Sequence, residues 1–140
     1  MADHVLNLSI VTPRSVEFEG LAIAVSVPGS QSPFQVLYNH APIISSLDIG
    51  VLKLEDHKNH VSYFASREGF IEVLKNNVNI VVQDIVPASD VDVSKAESDL
   101  AAARTKADTD PDRSLREVAR KELHWAKARL RAARLMRENA

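Results

Sequence analysis

The hydrophobic period of the sequence changes once, near Pro87, from two residues to between three and four. Before this proline, apolar side chains alternate with polar or small ones, as at Leu6 and Leu8. Such alternation is typical of a strand that rests one face on a core. After the proline, apolar residues recur at the spacing of one helix face. The chain is therefore predicted to have two parts, residues 1–87 built from strands and residues 88–140 built from helices.

The first part is divided into short apolar runs by turn-forming clusters such as Pro28-Gly29-Ser30 and Lys75-Asn76-Asn77. Between these clusters, strands are predicted at residues 6–10, 21–27, 34–38, 51–54, 61–65, 70–74 and 78–82. About eight to ten short strands with frequent turns are typical of antiparallel folds. The first part is therefore predicted to be an all-β sandwich or flattened barrel.

The second part holds two helical stretches that are separated by a break at Thr109-Asp110-Pro111. Ser89 or Asp90 is predicted to cap the first helix, and Asp110 followed by Pro111 is predicted to start the second. Because the linker is short, the helices are predicted to form an antiparallel hairpin. Their facing residues are mostly alanine, which buries little apolar area. Such a hairpin is expected to be stable only when it docks on something else.

The composition of the chain excludes several classes of protein. Its 140 residues fit one domain with an appendage, and 45% of them are hydrophobic, which is too many for a disordered chain. The absence of cysteine excludes disulfides, thiolate zinc sites and a cysteine nucleophile. The four glycines lie too far apart for a glycine-rich phosphate loop. The sequence has no apolar run of the roughly 20 residues that span a membrane and no signal-peptide pattern. We expect the protein to stay in the compartment where it is made.

The sequence contains no pattern of a catalytic or metal site. His57 and His60 form the one close histidine pair, but they fall in a polar turn with no third ligand nearby. No serine lies in a nucleophile-elbow sequence, and no pair of carboxylates stands out from the general acidity. The protein is therefore expected to be non-catalytic and to hold no metal.

Charge is divided unevenly along the chain. Residues 111–140 carry nine basic and four acidic side chains, whereas residues 1–110 carry eight basic and fifteen acidic ones. Basic residues at spacings of three and four form one stripe along the second helix. The members of this stripe are Arg113, Arg116, Arg120, His124, Lys127, Arg131 and Arg134.

The basic stripe has two interpretations. In the first, the stripe is a face that is solvated or that pairs with acidic residues of its own chain, such as Asp92 or Asp99. In the second, it docks on an acidic partner. We favour the acidic partner, because the charges in a row of one sign repel each other unless a surface of opposite charge neutralises them. Nucleic acid is disfavoured as that partner, because the rest of the chain is acidic and Trp125 is the single aromatic residue of the hairpin.

A series of short motifs occurs in a fixed order along the chain. They are Val11-Thr12-Pro13-Arg14 and the segments 16–20, 25–29, 36–42, 47–52, 69–73 and 76–78. In order and spacing, and with a helical hairpin after them, these motifs resemble the epsilon subunit of bacterial F-type ATP synthases, which is equivalent to the mitochondrial delta subunit. The chain departs from the family's usual glycines at Gln35, Asn39 and Glu68. Tyr38 stands where the family usually has proline.

The resemblance implies a non-catalytic rotor subunit of the F1Fo complex, without a cofactor, on the cytoplasmic face of the bacterial inner membrane. Its sandwich would bind the gamma subunit on one side and the c-ring on the other, and so couple proton-driven rotation to ATP synthesis. Its hairpin would be mobile and would inhibit ATP hydrolysis when it extends into the alpha and beta subunits. By position, the c-ring side would use Ser30, Gln31, Tyr38, Asn39 and His40. The inhibitory face would use Arg113, Arg116, Arg120, Lys127, Arg131 and Arg134.

The resemblance also raises the question of a nucleotide site. Some members of the family bind ATP through a motif of Asp, two residues, Arg and Ala at the start of the first helix. The matching stretch here contains Asp92, Lys95 and Ala96. Lysine keeps the charge of arginine but loses its planar donor fork. A regulatory ATP site at these residues is therefore an expectation to be tested.

From the residues alone, a second class of protein explains the same patterns. A free-standing adaptor, with a β-sandwich and a basic helix that docks on an acidic protein, would have the same periodicities and the same division of charge. It would not account for the ordered series of turn motifs.

Overall fold

The computed structural model describes residues 4–140, which contain nine β-strands, one 3₁₀ turn and two α-helices. The strands are β1 (Leu6–Val11), β2 (Val16–Val27), β3 (Phe34–Val36), β4 (Ile43–Leu47), β5 (Gly50–Asp56), β6 (Val61–Ser66), β7 (Gly69–Leu74), β8 (Asn77–Val82) and β9 (Ile85–Pro87). The 3₁₀ turn (Ala88–Asp90) leads into α1 (Val93–Thr109) and α2 (Arg113–Glu138). Neither of these helices is long and apolar enough to cross a membrane.

All nine strands join one sheet in the order β4-β7-β8-β1-β2-β5-β6-β9, with β3 added to β2. Strand β2 lets this sheet fold into two layers, because it is 12 residues long and shifts register between Ala22 and Ala24. Its first half pairs with β1 in the first layer, which also contains β4, β7 and β8. Its second half pairs with β3 and β5 in the second layer, which also contains β6 and β9. The predicted all-β sandwich followed by two helices is confirmed. One pair departs from the predicted antiparallel order, since β1 and β8 are parallel.

The main core lies between the two layers. Leu6, Leu8 and Ile10 of β1 are buried at alternate positions, and β7 and β8 show the same alternation. From the second layer, Leu52 and Leu54 of β5 complete the core. Within residues 4–140, neither α1 nor α2 contributes a side chain to it. The sandwich therefore buries the apolar faces between its two layers without help from the hairpin.

A second, smaller cluster joins the hairpin to the sandwich. Tyr63 and Ala65 of β6 and Ala88 of the 3₁₀ turn pack with Trp125 and Ala128 of α2. Helix α2 contacts β5, β6 and the 3₁₀ turn, whereas α1 packs mainly on α2. The hairpin is thus docked through one helix, on a surface much smaller than the main core.

The starts of the two helices lie later than the sequence predicted. Asp92 caps α1 and Asp112 caps α2, each through its side-chain oxygen and a backbone amide of the first turn. The predicted caps Ser89 and Asp90 lie in the 3₁₀ turn, and Asp110 ends α1. Both predictions were wrong because several suitable caps precede each helix, and their intrinsic preferences are too similar to separate them.

Candidate interaction surfaces

The turn that joins β2 to β3, residues 28–33, contains Ser30 and Gln31; we call it the Ser30 turn. A bridge between Gly29 and Leu47 anchors its start beside the end of β4. The Ser30 hydroxyl donates to the Asp48 carboxylate at 2.9 Å. The backbone of the Ser30 turn is therefore fixed, while the Gln31 side chain is exposed to solvent.

The next turn, residues 37–42, contains Tyr38, Asn39 and His40; we call it the Asn39 turn. Asn39 has a φ of 62°, a left-handed conformation that Asn tolerates better than most residues. Its backbone amide donates to the side-chain oxygen of Asn76 at 2.6 Å. The side-chain amide of Asn76 donates to the side-chain oxygen of Asn39 at 3.2 Å. The Tyr38 ring meets His4 edge-on, with the ring centroids 4.8 Å apart. The Asn39 turn is thus held against the β7–β8 turn and the residues before β1.

The structure does not bring the five predicted c-ring residues together. Strand β4 runs between the two turns, pairing with Gly69 at its last residue, Leu47, and with Val73 at its first residue, Ile43. The Ser30 turn lies beyond the Leu47 end of β4, and the Asn39 turn lies beyond the Ile43 end. A strand of this length spans about 17 Å. The two turns therefore lie about the length of this strand apart, at opposite ends of β4.

The predicted inhibitory face of α2 is only partly free. Arg116 donates to two backbone carbonyls of the linker between α1 and α2, at 2.8 and 3.1 Å, and so closes that linker. Arg113 and Arg134 each pair with the glutamate four residues later on α2, at 3.5 and 3.7 Å. Within the described range, the exposed members of the face that have no ion-pair partner are Arg120, Lys127 and Arg131.

Asp99 of α1 provides an acidic partner inside the hairpin. It pairs with Arg129 of α2 at 3.1 Å and with Lys95, one turn earlier on α1, at 3.2 Å. Hydrogen bonds from Lys95 and then from Arg129 lower the pKa of the Asp99 carboxyl below its ordinary value. The pairing within the chain that was predicted for Asp99 is therefore present, although its partner on α2 lies beside the basic stripe. Among residues 4–140, no base pairs with Asp92, which serves as the cap of α1.

The three candidate nucleotide residues all have structural roles in the hairpin. Asp92 caps α1, Lys95 pairs with Asp99, and Ala96 is fully buried. Next to them, a groove of about 490 Å³ opens between α1 and α2. It is lined by Glu97 and by four basic side chains, those of Lys127, Arg131, Arg134 and Arg137. The positive charge of the hairpin therefore converges on this groove.

The outer face of the first layer carries an apolar row that the sequence pattern did not lead us to expect. Phe70 pairs with Val81, and Val81 pairs with Val11. Val11 pairs with Val16, so the row crosses four neighbouring strands. Phe70 and Val16 are 49% and 59% exposed, and Ile44 on the adjacent β4 is 74% exposed. We call Val11, Val16, Phe70 and Val81 the outer apolar row. The signal in the sequence was the presence of apolar residues at outward positions of the alternation.

The histidine pair lies in the β5–β6 turn, as predicted. Asp56 accepts hydrogen bonds from the His60 amide at 3.0 Å and the Lys58 amide at 2.8 Å. These bonds, the one from His60 first, lower the pKa of the Asp56 carboxyl. No group of three or more His, Asp or Glu side chains in residues 4–140 is arranged to hold a metal ion.

Comparison with known proteins separates the two classes of protein left open by the sequence. Residues 5–88 match the family described as ATP synthase, Delta/Epsilon chain, beta-sandwich domain. The chain belongs to the ATP synthase delta/epsilon family. It is 39% identical to the ATP synthase epsilon chain of Salinibacter ruber over 106 residues, which cover 70% of each chain. It is 32% identical to the epsilon chain of Staphylococcus saprophyticus over 136 residues, which cover 94% of this chain and 98% of that relative.

Solved structures show the same fold. A chain in the Euglena gracilis mitochondrial ATP synthase matches with a TM-score of 0.81 and 21% identity, over 89% of this chain and 78% of that one. A chain from the central stalk and c-ring of the Tetrahymena thermophila enzyme matches with a TM-score of 0.68 and 15% identity, over 91% and 96% of the two chains. The predicted resemblance to the epsilon subunit is confirmed. A free-standing adaptor unrelated to any rotor would not explain the family match.

Two departures of this delta/epsilon-family chain from the usual pattern have a structural explanation. Asn39, at a position where glycine is usual, takes the left-handed φ that glycine would supply. Glu68 lies at another position where glycine is usual. Its φ is not positive, so its backbone does not need glycine. Its side chain instead reaches α2 and pairs with Lys121 at 3.5 Å.

Proposed function

We propose that this epsilon chain is a non-catalytic subunit of the central stalk, bound at the cytoplasmic face of a bacterial inner membrane. In this role it links the proton-driven c-ring to gamma and, through gamma, to the catalytic alpha and beta subunits. The observation that carries the proposal is the outer apolar row beside the exposed Ser30 turn. A small sandwich with one apolar and one polar contact surface is suited to joining two different partners.

The outer apolar row is the proposed contact for gamma. Apolar surface left in water costs about 25 cal/mol per Å², and contiguous exposed apolar patches mark protein interfaces. Beside the row, at the next outward positions of the strands, lie Ser9, Asn79 and Glu72. These side chains would form the polar rim that surrounds the centre of a typical interface.

The Ser30 turn is the proposed contact for the c-ring. Its backbone is anchored by Asp48, whereas Gln31 offers an exposed amide that can donate to and accept from a polar loop. The turn lies at the Leu47 end of β4, close to Phe70, so the ring and gamma would meet neighbouring surfaces. Because Tyr38, Asn39 and His40 lie at the opposite end of β4, we place them outside this contact.

Single-cysteine crosslinking tests both surfaces, because the chain has no cysteine of its own. In the assembled complex, a photoactivatable label on Gln31→Cys is expected to join the subunit to c, and one on Phe70→Cys to join it to gamma. Lys58→Cys, in the exposed β5–β6 turn, is the matched control and is expected to give neither product. Crosslinks to c from Lys58→Cys as strong as those from Gln31→Cys would contradict the assignment.

The hairpin is the proposed inhibitor of ATP hydrolysis, so residues 1–87 and 88–140 would act as separable units. When extended, α2 would present Arg120, Lys127 and Arg131 to acidic segments of the beta subunits. Each exposed ion pair is worth only about 0.2–1 kcal/mol and is screened by salt, so several must act together. The small docking cluster supports this proposal, because weak docking leaves the docked and extended arrangements close in free energy.

A second candidate function is the binding of a nucleotide in the groove between α1 and α2. The convergence of four basic side chains on that groove favours a phosphate-bearing ligand. Lys95 does not line the groove and would stay paired with Asp99, and Asp92 would stay in place as the cap of α1.

Calorimetry of the full chain with ATP tests this second function. We expect a heat signal that saturates below about 1 mM, which corresponds to about 4 kcal/mol of binding free energy. Arg131→Gln is expected to weaken the binding. Arg104→Gln removes an exposed charge from α1 outside the groove and is expected to leave it unchanged. A titration without a saturable signal would rule the nucleotide site out.

A further inference from the structure

Helix α2 meets the β6–β7 turn through two adjacent pairs of opposite charge. Arg67 pairs with Glu122 at 3.0 Å, and Glu68, the next residue, pairs with Lys121 at 3.5 Å. A basic-acidic dipeptide of the sandwich therefore faces a basic-acidic dipeptide of the hairpin, with each base opposite an acid. We call Arg67, Glu68, Lys121 and Glu122 the charge clasp.

Trp125 lies beside the charge clasp and contacts Arg67, one of its members. The Arg67 guanidinium lies over the indole ring at 4.8 Å, and the Arg129 guanidinium lies 5.4 Å from the ring centroid. Arg129 is held in turn by Asp99 of α1. Trp125 is only 6% exposed and belongs to the cluster that joins the hairpin to the sandwich, so both arginines lie within cation–π range of a buried ring.

The β6–β7 turn is fixed on the sandwich side of the clasp. The Arg67 amide donates to the Asp84 carbonyl at 2.9 Å, and the Gln83 amide donates to the Glu68 carbonyl at 3.0 Å. The β8–β9 turn therefore holds the backbone that carries Arg67 and Glu68. A change at the clasp should alter the docking of α2 and leave this turn in place.

We propose that the charge clasp is a salt-sensitive latch that holds the hairpin on the sandwich. The side chains of Lys121, Glu122 and Glu68 are open to water, at 66%, 47% and 42% exposed, whereas that of Arg67 is 24% exposed. Dissolved ions therefore weaken the Glu68–Lys121 pair most. The cluster around Trp125 provides the remaining docking. Opening the latch releases the hairpin, and this step has a consequence for hydrolysis only if the inhibitory role under the proposed function is correct.

Hydrogen exchange in the full chain tests the latch. Lys121→Glu places like charges opposite each other at Glu68, and at low salt it is expected to speed exchange of the α2 amides about five- to tenfold. The amides of β1 and β8 are expected to be unchanged. Adding Glu68→Lys restores an opposite-charge pair and is expected to return the rate. At about 1 M salt, where charges are screened beyond about 3 Å, the effect of Lys121→Glu is expected to shrink.

Arg104→Glu is the matched control, because it makes the same charge change at an exposed site on α1. Equal exchange rates in Arg104→Glu and Lys121→Glu, or no recovery when Glu68→Lys is added, would overturn the latch. Faster exchange in β1 and β8 as well would indicate general destabilisation and would also overturn it. Acrylamide quenching of Trp125, the single tryptophan, is expected to follow the same release.

ATP hydrolysis by the assembled complex is a separate readout. If Lys121→Glu speeds exchange in α2 and also lowers hydrolysis, both the latch and the inhibitory hairpin are supported. If it speeds exchange but leaves hydrolysis unchanged, the latch stands and the inhibitory role is wrong.

Discussion

Deleting residues 88–140 is expected to leave the epsilon chain in the assembled complex and to raise its rate of ATP hydrolysis. Within the described residues, the main core contains no hairpin side chain, so the sandwich and its outer apolar row should persist. Three exposed ion pairs are worth about 0.6–3 kcal/mol together, so hydrolysis should rise about three- to hundredfold. The measurement is the ATPase rate of the purified complex, with its subunit content checked in the same preparation.

A full-length variant tests whether the inhibition of ATP hydrolysis depends on the charge of α2 or on its steric bulk. Combining Arg120→Gln, Lys127→Gln and Arg131→Gln keeps the hairpin but removes the three unpaired cations of the inhibitory face, and should give most of the same rise. An unchanged rate in a complex that retains the truncated chain would show that the hairpin does not inhibit. A rise after deletion but not after neutralisation would assign the inhibition to steric bulk.

Gly69→Ala is expected to destabilise the sandwich by about 3 kcal/mol or more. The added Cβ would lie 1.9 Å from the carbonyl oxygen of Val81 and 2.7 Å from the Cα of Val82. These are backbone atoms, which cannot rotate away as the end of a side chain can. Because Gly69 pairs with Leu47 on one side and Val82 on the other, any shift would disturb β4 and β8 together. Chemical denaturation of the full chain measures the loss.

Gly20→Ala provides the control for this substitution. It makes the same change inside β2, but its Cβ would lie 3.5 Å from the Phe18 ring, which is an ordinary contact. Neither glycine has a positive φ, so alanine suits the backbone at both positions. Gly20→Ala is expected to be neutral or to stabilise the chain by up to about 1 kcal/mol. Equal stability of the two variants would show that the close approach of β7 to β8 relaxes freely.

The fold could be predicted where the pattern of apolar residues is local. Alternation indicated seven of the strands, and the change of period indicated both helices. Strand β4 was missed because Ile43 and Ile44 are adjacent, one half-buried and one exposed, so its polarity does not alternate. Strand β9 is too short to show a period. The parallel pairing of β1 with β8 has no local signature, since it depends on how distant strands meet.

The candidate surfaces could be predicted only in part, for a related reason. Helical spacing placed the basic residues on one face of α2, but tertiary contacts decide that Arg116 closes the linker while Arg120 stays free. Ser30 and Asn39 are close in sequence and are separated by the length of β4. The outer apolar row could not be predicted, because its residues come from four strands and only the register of the sheet places them side by side.

The parallel pair of β1 and β8 sets the order in which a growing chain acquires its structure. Asn7 pairs with Asn77, and Val11 pairs with Val81. One edge of β1 therefore has no hydrogen-bonding partner until β8 has been synthesised. On the ribosome, that edge of β1 stays open while most of the sandwich is being made. The two helices emerge afterwards, and α2 meets a surface that is already complete. Aggregation through the open edge of β1 is therefore a hazard of synthesis, and the mature subunit is protected from it.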